Sequence, residues 1–179
     1  MKGKIVYKES QSFMFTWTWF VAVGVGIIAL GLLFFQVITG YSLDSATDVG
    51  VKGNGEMIIV SIVTLLVITG VIIFLSLQKL EIQVDDGTLR YKFFPYFFDY
   101  KTISKNKVSA LYVRKYKPIL EYGGWGYRWR FRKGKAFTIR GKWGLQIEFS
   151  SGKKLLLGTQ QPVELDKAID QLRKNWDMR

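Results

Sequence analysis

Two long apolar runs interrupt an otherwise mixed chain, and the second is the cleaner. From 57 to 77 stand twenty-one residues without a charge, rich in Ile, Val and Leu. An α-helix of that length rises about 30 Å, the thickness of a bilayer's hydrocarbon core. The first run extends from about 13 to 37, with Trp17 and Trp19 near its start and Tyr41 just past its end, where aromatic residues collect at membrane interfaces. The pattern predicts a transmembrane hairpin over 13–77, with helices at about 13–37 and 57–77. The connection 41–56 carries Asp44, Asp48 and Glu56 against Lys52, with Gly50, Gly53 and Gly55 as turn formers. Few cations there, and many on both flanks, make it the external loop and leave both termini cytoplasmic. The tail 1–12, with Lys2, Lys4 and Lys8 against Glu9, is expected to be short, polar and cytoplasmic. A cleaved signal peptide is the competing reading, but the run exceeds a signal's apolar core and Val37 to Gly40 is a poor cleavage site.

After Leu77 the period changes from helical to alternating. Leu80, Ile82 and Val84 alternate with Glu81, Gln83 and Asp85, the Asp86-Gly87 pair turns the chain, and Thr88 to Phe94 return as a second strand closed by Pro95. The aromatics Phe93, Phe94, Tyr96, Phe97, Phe98 and Tyr100 follow, about half of them expected to fill the domain's core and the rest to cover its end. Lys107 to Tyr116 reads as another strand. Four more then alternate around short glycine turns, from Tyr127 to Arg132, through Phe137 and Ile139, through Leu145 to Phe149, and through Leu155 and Leu157. That is the pattern of an antiparallel meander that closes or half closes into a barrel. Pro162, Glu164 and Asp166 start a final helix, Arg173 and Lys174 end it, and Leu165, Ala168, Ile169, Leu172 and Trp176 make its apolar face. The fold class expected is a membrane α-helical hairpin plus a mainly-β domain at 79–179. That domain is an antiparallel barrel of about seven strands with a C-terminal capping helix.

Charge sharpens the division. The chain holds 26 Lys and Arg against 14 Asp and Glu, a net of +12. Residues 1–78 hold four of each sign, so the whole excess falls on the β domain. Such a surface attracts polyanions. With neither Cys nor His in the sequence, thiol nucleophiles, histidine bases and Cys/His zinc sites are excluded. Ser104-Lys105, Glu121, Glu148 and Asp85-Asp86 offer no convincing catalytic constellation. The chain is read as a non-enzyme without metal or cofactor.

Candidate binding residues come from the alternation. Arg128, Arg130 and Arg132 interleave with Tyr127, Trp129 and Phe131, so a strand there puts guanidiniums on one face and rings on the other. Lys133 and Lys135 at the following turn, with Arg114, Lys115 and Lys117 from the preceding strand, complete the anionic-ligand or partner surface. Gly123, Gly124, Trp125 and Gly126 read as a structural turn, since no Gly-Lys-Ser/Thr ending makes them a phosphate loop. In the first apolar run Ala22, Gly26 and Ala29 share a helical face beside a stripe of Gly24 and Gly31, small residues that permit close helix packing.

Several of these segments taken together look familiar. Tyr112-Val113-Arg114-Lys115-Tyr116-Lys117-Pro118, Glu121-Tyr122-Gly123-Gly124-Trp125-Gly126, the turn at Gly141, Gly158-Thr159-Gln160-Gln161-Pro162 and Glu164-Leu165 resemble bacterial membrane-anchored pleckstrin-homology-like (PH-like) domain proteins. The resemblance implies two membrane helices and a cytoplasmic PH-like domain in the bacterial inner membrane. Phosphoinositide binding does not carry over, because the first hairpin loop, Asp85-Asp86-Gly87, is short and acidic. The function expected is a membrane-anchored binding or scaffolding module for a protein partner or further copies of itself. The alternative is that the basic face binds or orients on anionic lipid. Nucleic acid is disfavoured here, because Tyr127, Trp129 and Phe131 are expected on a buried face.

Overall fold

The computed structural model describes residues 5–13, 20, 23–31, 34 and 54–178, with the side chains of 54–58 and 61 outside that description. Two compact units emerge, Met1–Phe13 with Leu77–Arg179, and Met14–Ser76.

The larger unit begins where a tail was expected. Residues Ile5–Ser12 form strand β1, which pairs antiparallel with β2 (Lys79–Asp85) in a register that sets Ser12 opposite Lys79. The Phe13 N–H donates to the Gln78 carbonyl at 3.2 Å. Residues 14–76 are thus an insertion between two neighbouring strands of one sheet. The tail is not a free polar segment because it carries its own alternation: Tyr7, Glu9 and Gln11 point inward and are buried. Next come β3 (Leu89–Phe94) and the three-residue β4 (Lys101–Ile103), giving a sheet ordered β1-β2-β3-β4. Leu80, Ile82 and Val84 of β2 and Leu89, Tyr91 and Phe93 of β3 bury their predicted face. Of the aromatics that follow, Phe97 packs on the core, while Tyr96, Phe98 and Tyr100 stay exposed.

A 3₁₀ turn at Lys105–Lys107 breaks the ladder and starts a second sheet. Its strands are β5 (Val108–Lys115), β6 (Gly126–Arg130), β7 (Gly134–Thr138), β8 (Trp143–Phe149) and β9 (Lys154–Thr159). They are ordered β5-β8-β9-β7-β6. The expected barrel of about seven strands is therefore corrected to two open sheets carrying nine strands among the described residues. The expected meander is corrected as well: β9 lies between β7 and β8, antiparallel to β8 but parallel to β7. Both sheets contribute to one core with helix α4 (Pro162–Asn175), which packs on β5, β1 and β2. Leu165, Ala168, Ile169, Leu172 and Trp176 are buried there. At its C-terminal end Trp176 Nε1 donates to the Gly87 carbonyl at 2.8 Å and Asn175 Nδ2 to that of Asp86 at 2.6 Å, tying the helix to the β2–β3 turn.

The smaller unit contains a helical segment at 23–31, here α1, and α2 (Asn54–Ser76). A Cβ at Gly26 would lie 3.5 Å from Ile72 and 3.8 Å from Ile68, whereas Gly24 and Gly31 have nothing within 4 Å. Gly26 is thus the small residue that meets α2; Ala29 is half-buried, and Ala22 lies outside the described residues. Along α2, Ile62, Leu66 and Ile73 remain exposed. Among the described residues no helix is long and apolar enough to cross a membrane. This overturns the two-span hairpin and, with it, the multi-pass inner-membrane placement with both termini cytoplasmic. Trp17, Trp19, Tyr41 and most of the loop 41–56 lie outside the described residues.

Candidate anion-binding cleft

Two basic turns of the second sheet are brought side by side by one glycine. Lys135 pairs with Leu155 in the parallel β7–β9 ladder, and just before it Gly134, at φ 80°, approaches the other strand so closely that a Cβ would fall 2.0 Å from the Lys154 carbonyl oxygen. No side chain fits there, and the left-handed φ independently favours glycine. Gly134→Ala is expected to cost about 2 kcal/mol or more, through clash and backbone strain. In a urea titration the midpoint should fall with unchanged slope, and an unshifted midpoint would show that the strands part without cost.

Between these turns opens a cleft of about 430 Å³. Its cations are Arg130, Arg132 and Lys135 from the β6–β7 hairpin and Lys153 and Lys154 from the β8–β9 turn, and none of its lining residues is acidic. Lys154 is held at 2.8 Å by Glu148, which lies outside the lining and also accepts from the Tyr112 hydroxyl at 3.1 Å. That hydrogen-bonded ion pair lowers the Glu148 pKa and raises that of Lys154. Arg130 also donates to the Leu120 carbonyl of α3 (Pro118–Tyr122).

The cleft's rings correct the expectation for β6. Trp129 is 65% and Phe131 74% exposed, and both line the cleft beside the more buried Tyr91 and Phe149. The alternation holds only at the start of the strand. Tyr127, opposite Phe137, stacks on it at 5.0 Å, but two residues on Trp129 faces Lys135 and has passed the edge of the core. The hairpin tip overhangs, so Trp129 and Phe131 meet solvent, and Arg132 lies over the Phe131 ring at 5.8 Å.

The other sequence-derived residues fall elsewhere. Arg114 grips Glu121 in a two-pronged pair at 2.9 and 3.3 Å and donates through Nε to Gln146 at 3.0 Å. Partial burial opposes the charge on both partners, yet the pairing prevails: the Arg114 pKa is raised, and Glu121, which also accepts the Lys117 amide, has its pKa lowered. Lys115, Lys117, Arg128 and Lys133 are exposed, and none of them lines the cleft. Gly123, at φ 76°, caps α3 by donating to the Ile119 carbonyl at 2.8 Å, and Gly124 donates to that of Pro118 at 3.0 Å. Trp125 Nε1 reaches the Gly141 carbonyl at 3.1 Å, and Gly126 begins β6. Sequence reasoning missed Lys153 and Lys154. Their signal was the Ser151-Gly152 turn with two lysines after it, but only the parallel pairing carries them to the hairpin.

Elsewhere Asp85 accepts from Gln83 at 2.8 Å and from Thr88 at 3.3 Å. Among the described residues no group of three or more acidic side chains gathers to hold a metal ion. No family model matches this chain, and no curated protein matches it. The resemblance to membrane-anchored PH-like proteins thus finds no support.

Proposed function

We propose that the larger unit is a non-catalytic binding module that takes an anionic partner in the cleft between the β6–β7 and β8–β9 turns. The observation that carries this reading is the convergence of Arg130, Arg132, Lys135 and Lys153, beside the Glu148-paired Lys154, on a cavity with no acidic lining. Surface cations normally spread out or pair, as Arg114 and Lys154 do with Glu121 and Glu148. Holding Arg132, Lys135 and Lys153 together against mutual repulsion costs stability that only an opposite charge recovers. Isologous self-association through this face would set like charges against each other, which favours an anionic molecule over a second copy.

Replacing Arg130, Arg132 and Lys153 with Gln in the full chain should weaken binding to heparin about tenfold, each lost contact contributing on the order of 0.5 kcal/mol. The wild type should also release heparin as salt is raised. Binding indifferent to salt, or unchanged in the triple variant, would remove the cleft from consideration.

A further inference from the structure

We infer that the anion is a single-stranded nucleic acid, its phosphates met by the cleft's cations and its bases stacked on Trp129 and Phe131; this rests on the reading of the cleft as an anion site. A cluster of cations alone is indifferent to the kind of polyanion. What distinguishes this cleft is that two of its exposed walls are large flat rings. Water-exposed Trp and Phe are unfavourable by themselves, because their apolar area stays wet. They gain most from a planar partner that covers a whole face, and every base offers one whatever the sequence.

The spacing suits this partner. Trp129 lies in β6 and Phe131 opens the turn that follows, one residue apart, and each ring is exposed enough to take a base of its own. Arg130 stands between them in sequence, Arg132 lies over one side of the Phe131 ring, and Lys153 lines the same cleft from the facing turn, so charge lies close to the rings. A duplex would present phosphates but keep its bases stacked inside. An acidic peptide adding to the β6 edge would use main-chain groups and leave the two rings without a role. The premise that disfavoured nucleic acid in the sequence, burial of these aromatics, is the one that the structure reverses.

The test compares a fluorescently labelled single strand of about twelve nucleotides with an abasic strand of equal phosphate count, each titrated with the full chain at fixed salt. The base-bearing strand, with two bases stacked, is expected to bind about thirtyfold more tightly or better. Trp129→Ala and Phe131→Ala should each erase about half of that advantage on a logarithmic scale and the double variant nearly all of it, while Trp129→Phe should retain it. Both rings are exposed, so these variants should fold, and matched urea midpoints would check it. Equal binding of the two strands would overturn the stacking inference while leaving the anion site standing. Failure of both strands and of heparin would overturn the two together. Tighter binding of polyglutamate than of the base-bearing strand would assign the cleft to a protein partner and also overturn the inference.

Discussion

Replacing Glu9 with Ala is expected to remove about 3 kcal/mol of folding stability, because one buried carboxyl group accepts from three donors. Glu9 is only 5% exposed. Its Oε2 accepts from the Tyr7 hydroxyl at 2.6 Å and the Thr159 hydroxyl at 2.7 Å, and its Oε1 accepts the Gln160 amide at 2.8 Å. Burial, reinforced by the Glu9 bond, holds the Tyr7 phenol well above its ordinary pKa, so it stays a donor. Gln11 continues the network by donating to the Gly158 carbonyl at 2.7 Å and accepting from Gln160 Nε2 at 3.1 Å. These bonds join β1 to the end of β9 and the start of α4, closing two segments some 150 residues apart in sequence. Alanine strands the donors; glutamine keeps one oxygen but turns an N–H toward them, so Glu9→Gln should lose roughly half as much. Urea unfolding of both variants measures the difference. A change below about 0.5 kcal/mol for alanine, the range of an ordinary surface substitution, would mean that strand pairing alone holds β1.

The same residues show where sequence reading stops. The β2–β3 hairpin and α4 were legible because each buries apolar side chains with its own period and carries its own turn or cap signals. β1 was not, since two of its inward positions are Glu9 and Gln11. A strand that buries polar groups reads as a polar tail unless its partners are known. Those partners, Thr159 and Gln160, lie at the far end of the chain, and β2 follows only after the insertion 14–76. The second sheet was half legible for a related reason. Glycine turns announced reversals at 134, 141 and 152, but a reversal does not say which strand sits beside which. The parallel β7–β9 pair is specified by a close approach at Gly134 that no local pattern encodes.

The candidate site followed the same rule. The cations of the β6–β7 hairpin stood out by spacing. Lys153 and Lys154 did not, and alternation placed Trp129 on the wrong side of the core boundary because it describes faces of a strand and is silent on where the core ends. The apolar runs show the same for helices: hydropathy identifies what must avoid water, and run length does not say what such a face meets.

Phe137→Ala should be the most damaging single change to the larger unit, at about 3 to 5 kcal/mol. Phe137 is buried at the middle of a ring cluster, with Tyr127 at 5.0 Å, Phe93 at 5.2 Å, Phe97 at 5.4 Å and Tyr91 at 5.8 Å between centroids. These neighbours come from β6, β3 and the loop after β3, so the ring joins the two sheets and no single neighbour can move inward to fill its place. The loss therefore combines transfer of the side chain with a cavity that the stiff aromatic walls keep open. Phe137→Leu retains most of the volume and should cost no more than about 1.5 kcal/mol. Urea midpoints rank the variants, and near-ultraviolet circular dichroism reports whether the remaining rings stay fixed. The cleft supplies an independent readout, because Tyr127 anchors the strand that carries Trp129. Under conditions where Phe137→Ala is still folded, heparin affinity should fall less than base-dependent affinity, since charge survives small displacements of the hairpin and stacking does not. Equal stability of the alanine and leucine variants would show that the cluster relaxes around the gap and that the sheets are held together elsewhere.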